Sequence, residues 1–256
     1  MRKLFLLKGG IGDFLQCIPF IKASKHNIPF MCVTHLKGAK LFFDAIGIQL
    51  EKLFLFQSEE EKIKLLNSLP KTIEYLRCPR TQYFDKNPFN IENPLFENNK
   101  PIVGFHINGS SYAIETQRKF GMILKSIPAQ VIKGLISEEY NVLVFGLKEE
   151  IYSIGLEESE SLRLIAHENP AKSLAYVQQC RAVVASDSGI KTMSSMLKIP
   201  TIVWLGDYQD PPRDQMFIDP YVRDGVMQTF RYKNLDADLE RGLKTTKEFL
   251  TQRLDK

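Results

Sequence analysis

Residues 182–206, which read AVVASDSGIKTMSSMLKIPTIVWLG, contain the pattern that decides the fold. An apolar run at 182–185 ends in four small or polar residues at 186–189. A helical pattern follows over 190–197, and a second apolar run occupies 201–205. Strand, tight turn, helix and strand in this order form the repeating unit of an α/β fold with a parallel sheet.

The turn Asp187-Ser188-Gly189 is a candidate site for an anion. Its residues are small or polar, so the backbone N–H groups at the start of the following helix are open to a ligand. A helix N-terminus carries about half a positive charge, which suits a phosphate. The same residues are also typical of an ordinary N-cap, in which Asp187 or Ser188 accepts a hydrogen bond from the first N–H groups. On these residues alone, both interpretations stay open.

Composition narrows the class of protein. The 256 residues are enough for one large or two modest domains, each with its own core. A content of 44% hydrophobic and 25% charged residues is typical of a soluble globular protein. The net charge of +4 is too small to indicate a nucleic-acid partner, so we expect none. It is compatible with an anionic substrate or with peripheral contact at an anionic membrane surface.

The cysteines and histidines indicate neither a disulfide framework nor a metal site. The cysteines lack a CxxC or other metal-type spacing, and Cys17, Cys32 and Cys180 lie in or beside apolar runs. We expect these three to be buried, reduced thiols, as in a reducing compartment. The sequence has no signal-peptide pattern and no apolar stretch long enough to span a membrane. The expected location is therefore cytoplasmic, and no metal is expected.

The first half opens with an apolar run at 3–7 and a Gly-rich turn that leads into a helix. Gly10 and Gly12 form only part of a dinucleotide fingerprint, because the third Gly is missing. Asp13 also places a negative charge where a pyrophosphate would lie. Its carboxylate suits proton abstraction, or it caps the helix. Lys8 either faces the same cleft as these residues or lies on the surface.

Two domains are predicted. Apolar runs alternate with helical patterns up to residue 76, which indicates a small doubly wound domain. Residues 78–100 are rich in Pro and Asn and predict a linker. We place an N-terminal Rossmann-like domain at 1–98 and a C-terminal one at 99–256.

The second half repeats the alternation of apolar and helical patterns, in the order of a Rossmann-like domain. Its first strand pattern ends at His106, which either lines the cleft or is a structural histidine. A small-residue turn containing Ser110 follows, and an amphipathic helix is predicted over 236–254. Two such domains would face one another across a cleft lined by the loops at the carboxyl ends of their strands.

Four separated motifs carry a resemblance to a known family. Gly12-Asp13 is followed by Pro19, and NGSS at 108–111 is followed by RKF at 118–120. A helical pattern at 171–179 precedes SDSG at 186–189, which leads through a helix to IPT at 199–201. In this order and at these spacings the motifs resemble those of the family 9 glycosyltransferases, the ADP-heptose:lipopolysaccharide heptosyltransferase group.

The resemblance implies a GT-B fold and an inverting, metal-independent transfer of a sugar without a cofactor. The first domain would bind a glycan or glycolipid acceptor and the second a nucleoside-diphosphate sugar donor, as in surface-polysaccharide or lipopolysaccharide assembly. Asp13 matches the family's proposed catalytic base. Ser188 and Gly189, with Asp187 before them, match the positions that hold the diphosphate.

Further donor-site residues follow from the same resemblance. Arg118 aligns with the family's phosphate-pairing Lys, Lys119 lies beside it, and Ser110 belongs to the small-residue turn before them. An Arg guanidinium can replace a Lys here because it binds phosphate through two parallel hydrogen bonds. These cations would stabilise the leaving diphosphate.

Departures from the family pattern keep other functions open. The family usually has His where this chain has Thr192, and Trp where it has Phe120. The chain is also short for the family, mainly in its first domain. The alternative is a non-catalytic module of the same fold that binds a nucleotide or nucleotide sugar. A third possibility, an epimerase, predicts a catalytic His or a Tyr/Lys pair, and no clear Tyr-x-x-x-Lys occurs at a predicted helix.

Overall fold

The computed structural model describes residues 3–7, 10–24, 30–34, 38–69, 74–76, 80–89, 93–109, 126–166, 170–206 and 218–255. Contacts within the chain divide it into two compact units, Met1–Asn90 and Ile91–Lys256. Asn93 and Leu95 belong to the second unit, where the Gln179 side-chain amide donates to the Asn93 carbonyl and accepts from the Leu95 N–H. The division lies within the predicted linker at 78–100, and the domain bounds 1–98 and 99–256 stay a prediction.

The first unit is a four-stranded parallel sheet with helices between its strands. In chain order its elements are β1 Lys3–Leu7, α1 Ile11–Ser24, β2 Phe30–Thr34, α2 Ala39–Ala45, β3 Leu50–Leu55, α3 Glu59–Ser68 and β4 Glu74–Leu76. The strand order is β3-β2-β1-β4, and every neighbouring pair is parallel. The chain thus builds outward from β1 to β3 and then returns to the other side of β1.

The start of α1 is fixed by one polar contact and one apolar cluster. The Asp13 carboxylate accepts a hydrogen bond from the Gly10 N–H at 3.1 Å. The Phe14 ring packs against those of Phe42 and Phe43 in α2, with centroids 5.4 and 5.1 Å away. Helix α1 is thereby held in place at the carboxyl end of β1, where its first turn can take part in a site.

The second unit is a six-stranded parallel sheet flanked by helices. Its elements are β5 Ile102–His106, α4 Ala129–Leu135, β6 Asn141–Gly146, α5 Lys148–Ser153, β7 Leu162–Ala166, α6 Pro170–Tyr176 with a 3₁₀ turn Val177–Gln179, β8 Ala182–Ser186, α7 Gly189–Met196, β9 Thr201–Gly206, α8 Asp219–Arg223, β10 Met227–Tyr232 and α9 Leu239–Leu254. The strand order is β10-β9-β8-β5-β6-β7, all parallel. This is the doubly wound Rossmann order.

Close backbone packing holds the second core together. A Cβ added to Gly104 in β5 would lie 2.8 Å from the Cys180 sulfur, so only glycine fits there. Trp204 in β9 is fully buried, and its indole N–H donates to the Thr246 hydroxyl at 3.1 Å. A Cβ added to Gly242 in α9 would lie 2.2 Å from the Trp204 ring. Helix α9 therefore packs directly onto the sheet.

Most predictions about the fold are confirmed. Both units are α/β with parallel sheets, and Cys17, Cys32 and Cys180 are free, buried thiols as expected. Burial raises the pKa of the Cys32 thiol to about 12. The sequence pattern does not predict α5, α8 or β10, because the two helices are short and β10 buries its residues at irregular intervals.

Candidate functional site

The strand order of the second sheet reverses between β5 and β8, which are hydrogen-bonded neighbours. In open α/β sheets ligands bind outside the carboxyl ends of the strands at such a reversal. His106 ends β5 and Ser186 ends β8. Both side chains are buried, and His106 Nδ1 lies 3.5 Å from Ser186 Oγ. Together they form the base of a candidate site.

The turn after β8 presents backbone N–H groups at this point. Ser188 is the N-cap of α7, and its hydroxyl accepts from the Lys191 N–H at 3.3 Å. The Ser188 carbonyl accepts from the Thr192 N–H at 3.1 Å. Within the described part of the chain, the N–H groups of Gly189 and Ile190 have no acceptor, as is usual in the first turn of a helix. The cap and an open anion site are therefore compatible, since the cap uses a different N–H group.

The Asp187 carboxylate, a predicted contact of the diphosphate, forms an ion pair with Lys191, which the sequence motifs did not indicate. The Lys191 ammonium lies 3.0 Å from Asp187 Oδ1, and the two side chains are only 3% and 5% exposed. The spacing of four residues on a helical pattern, acidic before basic, is the signal that could have predicted this pair.

Thr192, which occupies the position where the resembling family has His, forms a hydrogen bond to the turn that precedes α7. It is buried, and its hydroxyl donates to the Ser188 carbonyl at 3.2 Å. The residue thus stabilises the turn, and the imidazole of the family pattern has no counterpart at this position.

The described residues on either side of 110–125 meet beyond the carboxyl end of β5. Asn108, two residues after β5, forms a β-bridge with Ser126, and the Ile127 N–H donates to the Ile107 carbonyl at 2.8 Å. The Tyr232 hydroxyl donates to the Ser126 carbonyl at 3.3 Å, and burial raises the Tyr232 pKa to about 12. The predicted donor-site residues Ser110, Arg118 and Lys119 lie outside the described residues. Lys8 of the first unit does so too.

The first sheet has its own reversal, between β1 and β4, and Asp13 lies beyond the carboxyl end of β1. Its Oδ1 accepts from the Arg80 guanidinium at 2.8 Å, while Oδ2 accepts from the Gly10 N–H. Arg80 follows β4, and Thr81 after it donates its N–H to the Gln16 carbonyl of α1 at 2.9 Å. Arg80 lies in the predicted linker, so the sequence pattern does not indicate it as a site residue.

The structure therefore places the candidate residues in two groups, one in each unit. Gly10 and Asp13 belong to the first unit, with the half-buried Gly12 beside them at the start of α1. Asp187, Ser188, Gly189 and His106 belong to the second. In the described residues no group of three or more His, Cys, Asp or Glu could hold a metal ion. None of the described helices is long and apolar enough to cross a membrane.

Comparison with known proteins identifies the fold. No protein-family model matches the chain, and no curated protein matches it. Among solved structures, the ADP-heptose LPS heptosyltransferase II of E. coli is 16% identical with a TM-score of 0.55, over 98% of this chain and 99% of that one. The chain has a heptosyltransferase-like fold. The predicted GT-B class and the predicted resemblance are confirmed at this level.

Two further solved structures show how widely this fold is used. The spinosyn rhamnosyltransferase SpnG complexed with thymidine diphosphate is 11% identical with a TM-score of 0.56, over 100% of this chain and 92% of that one. The UDP-GlcNAc 2-epimerase of Methanocaldococcus jannaschii is 10% identical with a TM-score of 0.53, over the same shares of the two chains. The fold thus occurs in transferases and in an epimerase, so the function must be argued from the site.

Proposed function

We propose that the chain is a glycosyltransferase that moves a sugar from a nucleoside-diphosphate sugar to a hydroxyl of a glycan or glycolipid. The observation that carries the proposal is the pair of N–H groups, of Gly189 and Ile190, at the strand-order reversal of the second sheet. A diphosphate fits there because its oxygens accept hydrogen bonds from both groups and lie at the positive end of the helix.

The names of the similar proteins support the class of donor. They mention ADP-heptose, thymidine diphosphate and UDP-GlcNAc, each of which contains a nucleoside diphosphate. We propose the same class for this chain, with the second unit as the donor-binding domain and the first as the acceptor-binding domain. A cytoplasmic location, with peripheral membrane contact where the acceptor is a glycolipid, fits this proposal.

Asp13 is the proposed base. Its carboxylate takes the proton of the acceptor hydroxyl while the hydroxyl oxygen attacks the anomeric carbon, and the bond from that carbon to the diphosphate breaks with inversion. The Gly10 N–H and the Arg80 guanidinium each engage one carboxylate oxygen and fix its orientation. Each oxygen has a second lone pair, so the carboxylate can still accept a proton.

The leaving diphosphate gains negative charge as the bond breaks. We propose that the N–H groups at the start of α7, the cations Arg118 and Lys119 and the hydroxyl of Ser110 stabilise this charge. With charge stabilisation supplied by the protein, the proposed transfer needs no metal ion or other cofactor.

The second candidate is a non-catalytic module that binds a nucleotide sugar. The observation that favours it is Thr192, whose buried hydroxyl completes the turn where the resembling family has an imidazole. An epimerase of the same fold is the third candidate, on the likeness to the archaeal enzyme.

A ligand panel followed by a turnover assay separates these functions. ADP, GDP, UDP, TDP and their sugars are tested by thermal shift, where a ligand at a hundred times its Kd adds about 2.7 kcal/mol of stability. We expect one of the nucleoside diphosphates to stabilise the protein. The corresponding nucleotide sugar should be consumed, with release of the nucleoside diphosphate, when an acceptor is added. Asp13→Asn should bind the donor but not consume it. Binding without turnover of any donor would favour the module, and an isomerised sugar without an acceptor would favour the epimerase. No binding at all would contradict the proposal.

A further inference from the structure

Gln16 carries a buried side-chain carbonyl that lacks a hydrogen-bond donor within the described part of the chain. The residue lies in the second turn of α1 and is only 5% exposed, and its helical neighbours Phe14, Leu15, Cys17 and Ile18 are buried and apolar. A buried acceptor without a donor lowers stability, and such groups are rare in native structures. A methionine would fill the same space without that cost, so the amide has a role other than packing.

Gln16 lies one helical turn from Asp13, the proposed base. The two residues are three apart in α1, so their side chains lie on the same face of the helix. A long helical side chain leans toward the helix N-terminus, which directs the Gln16 amide toward the turn that contains Asp13. The Gln16 backbone carbonyl accepts from the Thr81 N–H at 2.9 Å, and the preceding Arg80 donates to Asp13 Oδ1 at 2.8 Å. Asp13, Gln16 and the chain at 80–81 thus form one cluster beyond the carboxyl end of β1.

The chemistry of an acceptor sugar fits this cluster. Adjacent hydroxyls of a sugar ring are both hydrogen-bond donors, and in the proposed transfer the Asp13 carboxylate takes the proton of one of them. A neutral amide carbonyl accepts a hydrogen bond from the neighbouring hydroxyl and is too weak a base to remove its proton. Since Gln16 Oε1 has no bond among the described residues to give up, its side chain can turn to the sugar without breaking one. The two side chains together would determine which hydroxyl reacts.

We infer that Gln16 is an acceptor-binding residue that selects a sugar with a free hydroxyl next to the one that reacts, by accepting a hydrogen bond from this second hydroxyl. The inference rests on the proposed function. An acceptor without the second hydroxyl leaves the Gln16 carbonyl unpaired in the complex, and a buried group left unpaired is what discriminates between such substrates. The described residues that carry the inference all belong to the first unit, so it does not depend on the details of the donor site.

Gln16→Met tests the inference, because methionine has a similar length and is a good helix former but lacks the carbonyl. The melting temperature of the variant should equal or exceed that of the wild type, since a buried acceptor without a donor is removed. The acceptor sugar should bind about 5- to 150-fold more weakly, because its second hydroxyl then faces an apolar side chain. The donor Kd should not change. Gln252→Met, at an exposed position of α9, is the matched control and should alter neither affinity.

The probes are the methyl glycosides of glucose, galactose, mannose and N-acetylglucosamine, titrated by NMR into the protein saturated with the best nucleoside diphosphate of the panel. The glycoside that binds best is then compared with its monodeoxy derivatives. In the wild type, one derivative should lose about as much affinity as the parent glycoside loses in Gln16→Met, and in the variant this derivative should bind as well as the parent. The side-chain amide signals of Gln16 should shift with the parent glycoside and not with that derivative.

The opposite results would overturn the inference. A lower melting temperature of Gln16→Met with donor and glycoside weakened alike would assign the amide to the stability of α1. Equal affinity of the wild type and the variant for the glycoside would remove Gln16 from the acceptor site. If Gln16→Met does not fold, the Gln16 amide signals and the deoxy derivatives still decide in the wild type. Binding of none of the glycosides would contradict a sugar at Gln16, whereas binding of no nucleoside diphosphate would contradict the proposed function itself.

Discussion

Gly189→Pro tests the donor site by deleting a single hydrogen-bond donor. Gly189 is the first residue of α7, and proline is well tolerated at that position because the N–H it lacks has no partner within the helix. The preceding residue must be extended, and Ser188 already is, with φ −151° and ψ 176°. The substitution should therefore leave the free energy of unfolding unchanged, or raise it by about 0.4–1 kcal/mol.

The expected effect on binding follows from the lost contact. A hydrogen bond to a charged group contributes about 1.5–3 kcal/mol, so the nucleoside diphosphate should bind Gly189→Pro about 10- to 150-fold more weakly. Gly189→Ala, which keeps the N–H, is the matched control and should bind nearly as well as the wild type. Titration calorimetry gives the Kd values, and thermal unfolding checks that both variants fold. Equal affinity of the two variants for the diphosphate would refute the assignment of this N–H to the phosphate.

Three other predictions concern the first unit, the core and pH. Asp13→Asn should abolish sugar transfer with the donor Kd unchanged, and an active variant would exclude Asp13 as the base. Arg80→Met should lower kcat and cost no more than about 1 kcal/mol of stability, because its ion pair with Asp13 is partly exposed. Transfer kinetics and thermal melts check both variants. Gly242→Ala should destabilise the protein by about 1–3 kcal/mol, because its Cβ would lie 2.2 Å from the Trp204 ring. Urea unfolding measures the change, and an unchanged free energy of unfolding would contradict the close packing of α9 on Trp204. Stability should fall as pH rises from 9 toward 12, because the unfolded state releases the Cys32 proton while the folded state, with its thiol pKa raised to about 12, retains it. Cys32→Ala should flatten this fall in a series of melting temperatures measured against pH. An equal slope in the wild type and the variant would refute Cys32 as the source of the pH dependence.

The local parts of the fold were predictable from sequence, because each strand, turn and helix has its pattern within a few neighbouring residues. Residues 182–206 form β8, α7 and β9 as their pattern indicates. Ser188 was predictable as a cap for the same reason. Strand β10 was not, because its exposed Gln228 and Arg231 break the apolar run that marks a buried strand.

The contacts that build the candidate sites were less predictable, because they join distant parts of the chain. Asp13 and Arg80 are brought together only because β4 returns to lie beside β1. His106 and Ser186 meet because β8 returns to β5 in the same way. The strand order of a sheet depends on the packing of the whole unit, and no short stretch of sequence determines it.

The most direct test of the donor site is the response of individual amides to a nucleoside diphosphate. The protein labelled with ¹⁵N is titrated with the diphosphate from the panel, and the backbone amide signals are followed by NMR. We expect the largest downfield proton shifts at Gly189 and Ile190, because each N–H gains a charged acceptor. Tight binding with these two signals unmoved would place the diphosphate elsewhere and contradict a donor site at the start of α7.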